Sequence, residues 1–426
     1  MKGSMHISRR DFFKETAGAT SLLAFGSSIP AFLARSASAV EAGQASRESV
    51  LVVIQLSGGN DGLNTVVPYQ DDAYHRSRPT LRIGPEQALK LDSSLGLHPA
   101  MPAFRKLYQE GRLSIIQGVG YPRSSRDHDA AMEDWHTGVL REQVLPGART
   151  GWLGRAVDTA CDPGKTDLRG VFVGEIKAPF SMHTERVVVP SIKSLEEWLP
   201  TGASWSDSTR AHDSDPLPSA STGSSFLLAG VRRATANARL IQPRLIAASH
   251  ALHSQNLAAY PPFPLAENLA TVAQLIRADL GIRIYFVELG GGGIGGFDTH
   301  ANQAANHGAL LRELAESTSA FVDDLNHDRL LDSVLVMTFS EFGRTLSESG
   351  RRGTNHGAAA PMFMIGGRVK GGLWGAHPSL TDIEEDAPKF HTDFRRVYAT
   401  VLERWLKLKS EKILAPGFAP LDGVLA

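Results

Sequence analysis

Six short runs along the chain are apolar without polar alternation: Val50–Leu56, Leu113–Val119, Val171–Gly174, Ile282–Leu289, Val334–Phe339 and Met362–Ile365. Continuous β-branched and aliphatic runs of this length are the pattern of strands buried on both faces of a parallel sheet. Between them the apolar residues recur at helical spacing, over Met101–Glu110, Ala130–His136, Leu265–Asp279, Ala304–Asn326 and Asp393–Leu408. Alternating strands and helices predict an α/β fold, doubly wound around a mainly parallel central sheet. One stretch breaks the alternation. Residues 201–225 hold 8 serines together with Pro216 and Pro218, too little apolar surface to offset the entropy of ordering, so they read as a flexible insert. The segment Leu227–Asp279 reads as a helical insertion, a cap or crossover before the sheet resumes.

The first 39 residues obey a different logic. Ser8-Arg9-Arg10-Asp11-Phe12-Phe13-Lys14 is a twin-arginine export pattern, succeeded by a weakly apolar stretch and a small-residue cleavage site, Ala37-Ser38-Ala39. Residues 1–39 are therefore expected to be a signal peptide and 40–426 a single mature domain in the periplasm or outside the cell, carried there by the twin-arginine translocase. The apolar stretch is interrupted by Gly18, Gly26 and Pro30, too broken for a stable span, so no permanent membrane anchor is expected.

Charge and cysteine content narrow the chemistry. Lys and Arg number 44 against 45 Asp and Glu, a net charge of −1, which argues against a nucleic-acid partner. The lone Cys161 excludes an intrachain disulfide and any cysteine-built metal site. A metal would have to be held by carboxylates and some of the 15 histidines.

In doubly wound sheets ligands bind beyond the carboxyl ends of strands, so the residues at the end of each run are the first candidates for chemistry. Asn60-Asp61-Gly62 comes after the first run, Asp298-Thr299-His300 after the fourth, and Glu341-Phe342-Gly343-Arg344 after the fifth; Asn355-His356-Gly357 precedes the sixth. Each has a plainer reading: a turn at Asn60–Gly62, a capped loop at Asp298–His300, a Glu341–Arg344 pair. As a set they place acids and imidazoles on one rim, a donor mixture suited to a divalent ion. After the second run, Arg123 and Arg126 precede a helix beginning near Asp127, an arrangement that favours an anion or, equally, a simple cap by Ser125 or Asp127. The run Gly291-x-Gly293-x-x-Gly296 matches a dinucleotide fingerprint only formally, because Asp298-Thr299-His300 comes next instead of a helix start.

The motifs Leu56-Ser57-Gly58-Gly59-Asn60-Asp61-Gly62, Leu97-His98-Pro99, Trp135-His136-Thr137-Gly138, Phe297-Asp298-Thr299-His300, Ser340-Glu341-Phe342-Gly343-Arg344-Thr345 and Thr354-Asn355-His356-Gly357 together resemble the domain-of-unknown-function 1501 family, exported proteins similar to the alkaline phosphatase and sulfatase superfamily. The resemblance implies an alkaline phosphatase-like α/β/α sandwich holding one or two divalent ions (Zn, Mn or Ca) and hydrolysing phosphate or sulfate esters. By position it makes Asp61, Asp298, His300, Glu341 and His356 metal ligands, with Asp61 bridging. Phe342 stands where the superfamily commonly has a histidine ligand. Asp127-His128 stands where it tends to show Ser-His, so water or a group near Asp127 and His128 would attack, and Arg344 or Arg126 would offset charge on a small anionic ester or glycan substrate. The competing expectation is a non-catalytic exported binding or assembly protein with at most a structural metal.

Replacing both Arg9 and Arg10 with Lys is expected to leave the protein in the cytoplasm. Cell fractionation and blotting decide it: a double-Lys protein that still appears in the periplasm removes the export reading.

Overall fold

The computed structural model describes residues 48–141, 150–160, 169–175, 178–185, 189, 191–194, 260–290 and 296–425. The export signal, Cys161, the serine-rich insert 201–225, residues 227–259 and Gly291–Gly295 lie outside the described residues.

All six apolar runs are strands, and every helical pattern is a helix. The main sheet comprises β1 (Val50–Leu56), β2 (Leu113–Gly120), β3 (Gly170–Val173), β4 (Ser191–Ile192), β5 (Ile284–Leu289), β6 (Val334–Phe339), β7 (Ala360–Gly366), β8 (Gly372–Trp374) and β9 (Thr392–Asp393). Their order is β8-β2-β7-β6-β1-β5-β3-β4, with β9 also beside β2. Pairing is parallel except at β7, which runs antiparallel to both β2 and β6. The sheet is thus mainly parallel, as expected, with one reversed strand in its middle. That reversal matters for the site. The chain enters β7 at the same rim where β1, β2, β5 and β6 end, so residues before β7 join residues after the others.

The helices are α1 (Gly62–Thr65), α2 (Asp72–Ser77), α3 (Pro102–Gln109), α4 (His128–Thr137), α5 (Trp152–Ala160), α6 (Pro264–Arg277), α7 (Gln303–His327) and α8 (Phe394–Thr400), the last continuing as a π-turn over Val401–Trp405. Alternate β1 residues point to opposite faces, as the two-residue period of a strand requires. Val52, Ile54 and Leu56 pack with α3, α6 and α7 through Phe104, Leu269 and Leu314. Leu51 and Val53 pack with α4, α5 and α8 through Trp135, Trp152 and Tyr398. The result is a three-layer α/β/α sandwich. Helix α6 lies on a sheet face as a crossover leading into β5 instead of standing over the sheet as a cap. Helix α5 is an addition to the expected elements: it buries Trp152, Leu153, Ala156 and Val157, and Gly154 lets the backbone of His183 approach. No helix among the described residues is long and apolar enough to cross a membrane.

One buried histidine anchors a helix on each face. His136 of α4 hydrogen-bonds Gln55 Oε1 at 2.6 Å and packs against Phe286 and Phe339. His307 of α7 meets Asn60 Oδ1 at 3.0 Å and packs against Phe297. Burial disfavours the charged ring and pushes each pKa down from 6.5 to about 3. Above pH 6.5 both are neutral folded or unfolded. Between pH 6.5 and 3 only the unfolded chain gains these protons, so stability falls with acid by roughly 1 kcal/mol per pH unit for each histidine. Urea midpoints measured from pH 7 to 4 should fall less steeply in His136→Gln than in the parent; identical slopes would show that the ring is not held neutral.

Candidate metal centre at the carboxyl rim

The site is assembled from four loops. After β1, Gly58 and Gly59 adopt φ of +111° and +79°, and a Cβ on either would run into the amide of Asp298 or the ring of Phe342. Glycine there lets the β1 loop lie directly against the loops after β5 and β6. Phe297, fully buried, takes its amide to Ser57 O at 2.9 Å and so plants Asp298 at the rim. Residues 343–345 pair with 355–358 through Gly343 N to Ala358 O (3.1 Å), Thr345 N to Asn355 O (3.0 Å) and Gly357 N to Gly343 O (2.8 Å), which fixes His356 beside Arg344.

Four predicted residues come together. Asp298 Oδ1 is 2.8 Å from His300 Nε2, 3.1 Å from His356 Nε2 and 3.5 Å from His128 Nε2. The two ring nitrogens of His300 and His356 are 3.0 Å apart. Ligand atoms of His128, Asp298 and His356 all lie within 4.8 Å of one another. Ligands bound tetrahedrally to one ion at about 2.1 Å stand roughly 3.4 Å apart, so these separations are of the right size.

The hydrogen bonds behind the rings decide which nitrogen faces inward. His356 Nδ1 is 2.6 Å from Arg126 O, a carbonyl that only accepts, so this nitrogen carries the proton. His128 Nδ1 is 3.0 Å from Glu341 Oε1, again an acceptor. In the neutral rings both Nε2 atoms therefore present lone pairs toward Asp298 Oδ1. Three lone-pair donors facing one point repel unless a cation, proton or metal lies between them. Orientation of a ligand imidazole through its other nitrogen is the usual support of a metal site. The Glu341 bond raises the His128 pKa despite burial, and burial lowers that of His300. Burial pushes Asp298 up, but the Arg344 guanidinium, which donates to Oδ1, outweighs it and holds the carboxyl below the usual carboxylate range.

Several of the other predicted residues are turned to protein partners. Glu341 is 2% exposed and stands behind His128; its oxygens accept from His128, Gly58 N (2.8 Å) and Ser340 Oγ (3.1 Å), so they are turned to protein donors where ligation was expected. His128, expected in a catalytic role, stands beside Asp298 and His356 in a group that could hold an ion. Asp127 is exposed and caps α4, its Oδ1 accepting from Ala130 N at 3.0 Å. Arg344 is not open to a substrate: its guanidinium is buried and donates to Gly59 O (2.7 Å), Thr354 O (3.0 Å), Phe297 O (2.9 Å), Gly58 O and Asp298 Oδ1 (2.8 Å). Arg126 is turned to the carbonyls of Glu384 and Glu385. Asp61 is withdrawn from the cluster altogether, 1% exposed and bound by Arg78 at 2.6 and 3.0 Å. Sequence reading did not single out Arg78 or Gln303, which complete the pocket of Asp61; a polar residue on a helix or loop gives no sign in sequence that it turns inward.

Residues 265–414 match the family described as "Protein of unknown function (DUF1501)". They carry Asp298, His300, Glu341, Arg344 and His356, whereas His128 lies outside the match. No curated protein matches the sequence. Among solved structures, the chain is similar to the C-terminal periplasmic domain of EcEptC from Escherichia coli in complex with Zn, at 8% identity and TM-score 0.38, covering 75% of this chain and 73% of that one. It is similar to PsFucS1 sulfatase from Pseudoalteromonas sp. at 13% identity and TM-score 0.38, covering 93% and 75%. It is also similar to a protein in the alkaline phosphatase superfamily from Vibrio parahaemolyticus at 10% identity and TM-score 0.34, covering 90% and 78%.

Arg344→Ala should uncover the carbonyl oxygens of Gly58, Gly59 and Thr354, while Phe297 O keeps the amide of Thr299 at 2.8 Å; at about 1 kcal/mol for each of the three the loss is roughly 3 kcal/mol. Chemical denaturation checks this, and a loss below about 0.5 kcal/mol would show that these carbonyls do not depend on the guanidinium.

Proposed function

We propose that the protein is an exported, metal-dependent hydrolase acting on phosphate or sulfate esters, glycan esters included. The observation that carries this reading is the convergence of His128, Asp298, His300 and His356 at the rim where a doubly wound sheet binds its ligands. Three imidazoles and one carboxylate suit Zn or Mn better than Ca, which prefers oxygen donors throughout. When bound, such an ion supplies a Lewis acid for the ester oxygens and lowers the pKa of water toward neutrality.

The chain's own groups do the rest. Glu341 and the Arg126 carbonyl keep protons on the outer nitrogens of His128 and His356, so the inner ones stay available. Arg344 fixes Asp298 and keeps it ionised. The side chains of His128 and Asp298 remain 37% and 43% exposed, so a substrate can reach the ligands. A purely structural metal site closes its ligands off from water, and that exposure favours catalysis. The twin-arginine pattern at Arg9-Arg10 supports export as a folded, loaded protein.

One observation favours the binding-protein reading. The Phe342 ring packs 4.9 Å from His128 and 4.5 Å from His356, covering part of the centre with a group that offers no ligand. Turnover separates the two. Aryl phosphate mono- and diesters and aryl sulfates are to be offered to protein equilibrated with Zn or Mn. Asp298→Ala and His356→Ala should lose metal and activity together, while Ser124→Ala and Ser125→Ala keep most of both. Metal-loaded protein that turns over none of these esters would sink the hydrolase reading in favour of binding.

A further inference from the structure

The resemblance implies up to two ions, with Asp61 between them, and the pocket of Asp61 does not fit that role. A carboxylate offers about four lone-pair positions. On Asp61 all are taken: Arg78 donates to both oxygens as a fork, Gln303 Nε2 donates to Oδ2, and Asn64 N reaches Oδ1 at 3.3 Å. The neighbouring acceptor and the arginine are committed as well, although Asn60 Nδ2 is buried without a partner among the described residues. Asn60 Oδ1 accepts from Thr65 Oγ1 at 2.9 Å and meets His307 Nε2 at 3.0 Å, which makes that ring nitrogen a donor instead of a lone pair. Arg78 is itself fully buried and spends its remaining donors on Asn64 Oδ1 (2.7 Å), Leu346 O (2.9 Å) and Thr345 O (2.8 Å).

We propose that the Arg78 guanidinium is the resident cation of this second position, so that the centre takes a single divalent ion and Asp61 serves as its buried counter-charge partner, not as a ligand. This rests on the metal centre proposed above but reaches a different site. A fixed organic cation does what an ion would do for the carboxylate: it neutralises the charge and fixes both oxygens. It cannot dissociate, so the loops after β1 and β6 stay tied whether or not the outer ion is present. The link to that ion is short. Gln303 Oε1 accepts from Thr354 Oγ1 at 2.6 Å, two residues before His356. Gln303 is thus a positioning residue one side-chain bond from the loop that carries His356, and Arg78 acts behind it through Asp61.

Metal counting tests this without any turnover assay. The full-length mature protein is equilibrated with excess Zn, desalted, and its metal-to-protein ratio measured by mass spectrometry, with circular dichroism confirming folding. The expected counts are one ion for the parent and one for Asp61→Asn. In Arg78→Ser, which frees the carboxylate and leaves room for an ion, the count should rise to two at raised Zn. Two ions in the parent, falling to one in Asp61→Asn, would overturn the proposal while leaving the outer centre intact. No ion in the parent would overturn the outer centre and this proposal with it. A folded Arg78→Ser that still holds one ion would reduce Arg78 to an ordinary charge partner and overturn its role. Should that variant not fold, the parent and Asp61→Asn counts decide alone.

Discussion

The guanidinium of Arg344 is the constraint on which the rim depends. The loops after β1 and β5 and the loop before β7 are far apart in sequence, and each ends with carbonyl groups that no strand pairs. Arg344 meets all three at once, through Gly58 and Gly59, Phe297, and Thr354. A planar fork with five donors is the one side chain that can satisfy several converging carbonyls without a water network. Its charge is balanced by Asp298, so the same contact that ties the loops also aims the carboxylate. Position and electrostatics are set by a single group.

Electrostatic conflict then defines what the rim can do. Two imidazoles held in the Nδ1-protonated form turn their lone pairs on an ionised carboxylate, and a third imidazole lies against two of these groups. Folding energy elsewhere maintains this crowding. Local frustration of this kind is expected where function, not stability, has shaped the residues. Protonation of His128 relieves it partly, in line with the upward shift that Glu341 imposes. A divalent cation relieves it more completely, because one charge serves all the donors.

Most of the fold was legible because its strands are buried on both faces and so read as unbroken apolar runs. β1, β2, β5, β6 and β7 were found within one or two residues at most ends. The direction of β7 was not legible, since periodicity carries no information on whether neighbours run parallel. Asp298, His300 and His356 stand out in the sequence because acids and imidazoles at strand ends form short motifs, and the structure brings the three together. Glu341, Arg344 and Asp61 meet protein partners through their side chains where ion or substrate contacts were expected. Their roles depend on which way a side chain turns at a loop, inward to a carbonyl or outward to a ligand, and residue type alone does not encode that. Asp127 illustrates the same limit: an acid before a helix caps it far more readily than it performs chemistry.

The contrast between Asp61 and Asp298 shows how environment divides one residue type into two functions. Both are held ionised, and burial pushes both the other way; in each an arginine prevails. Asp61 is saturated by donors on both oxygens and sealed from water, so its charge is spent entirely inside the protein. Asp298 accepts from Arg344 on Oδ1, faces its histidine neighbours there, and stays 43% exposed, so its charge still acts on the rim. An ion approaching from solvent meets only the second. Two carboxylates of equal charge thus compete for cations on unequal terms, and the chain has already assigned its own cation to the inner one.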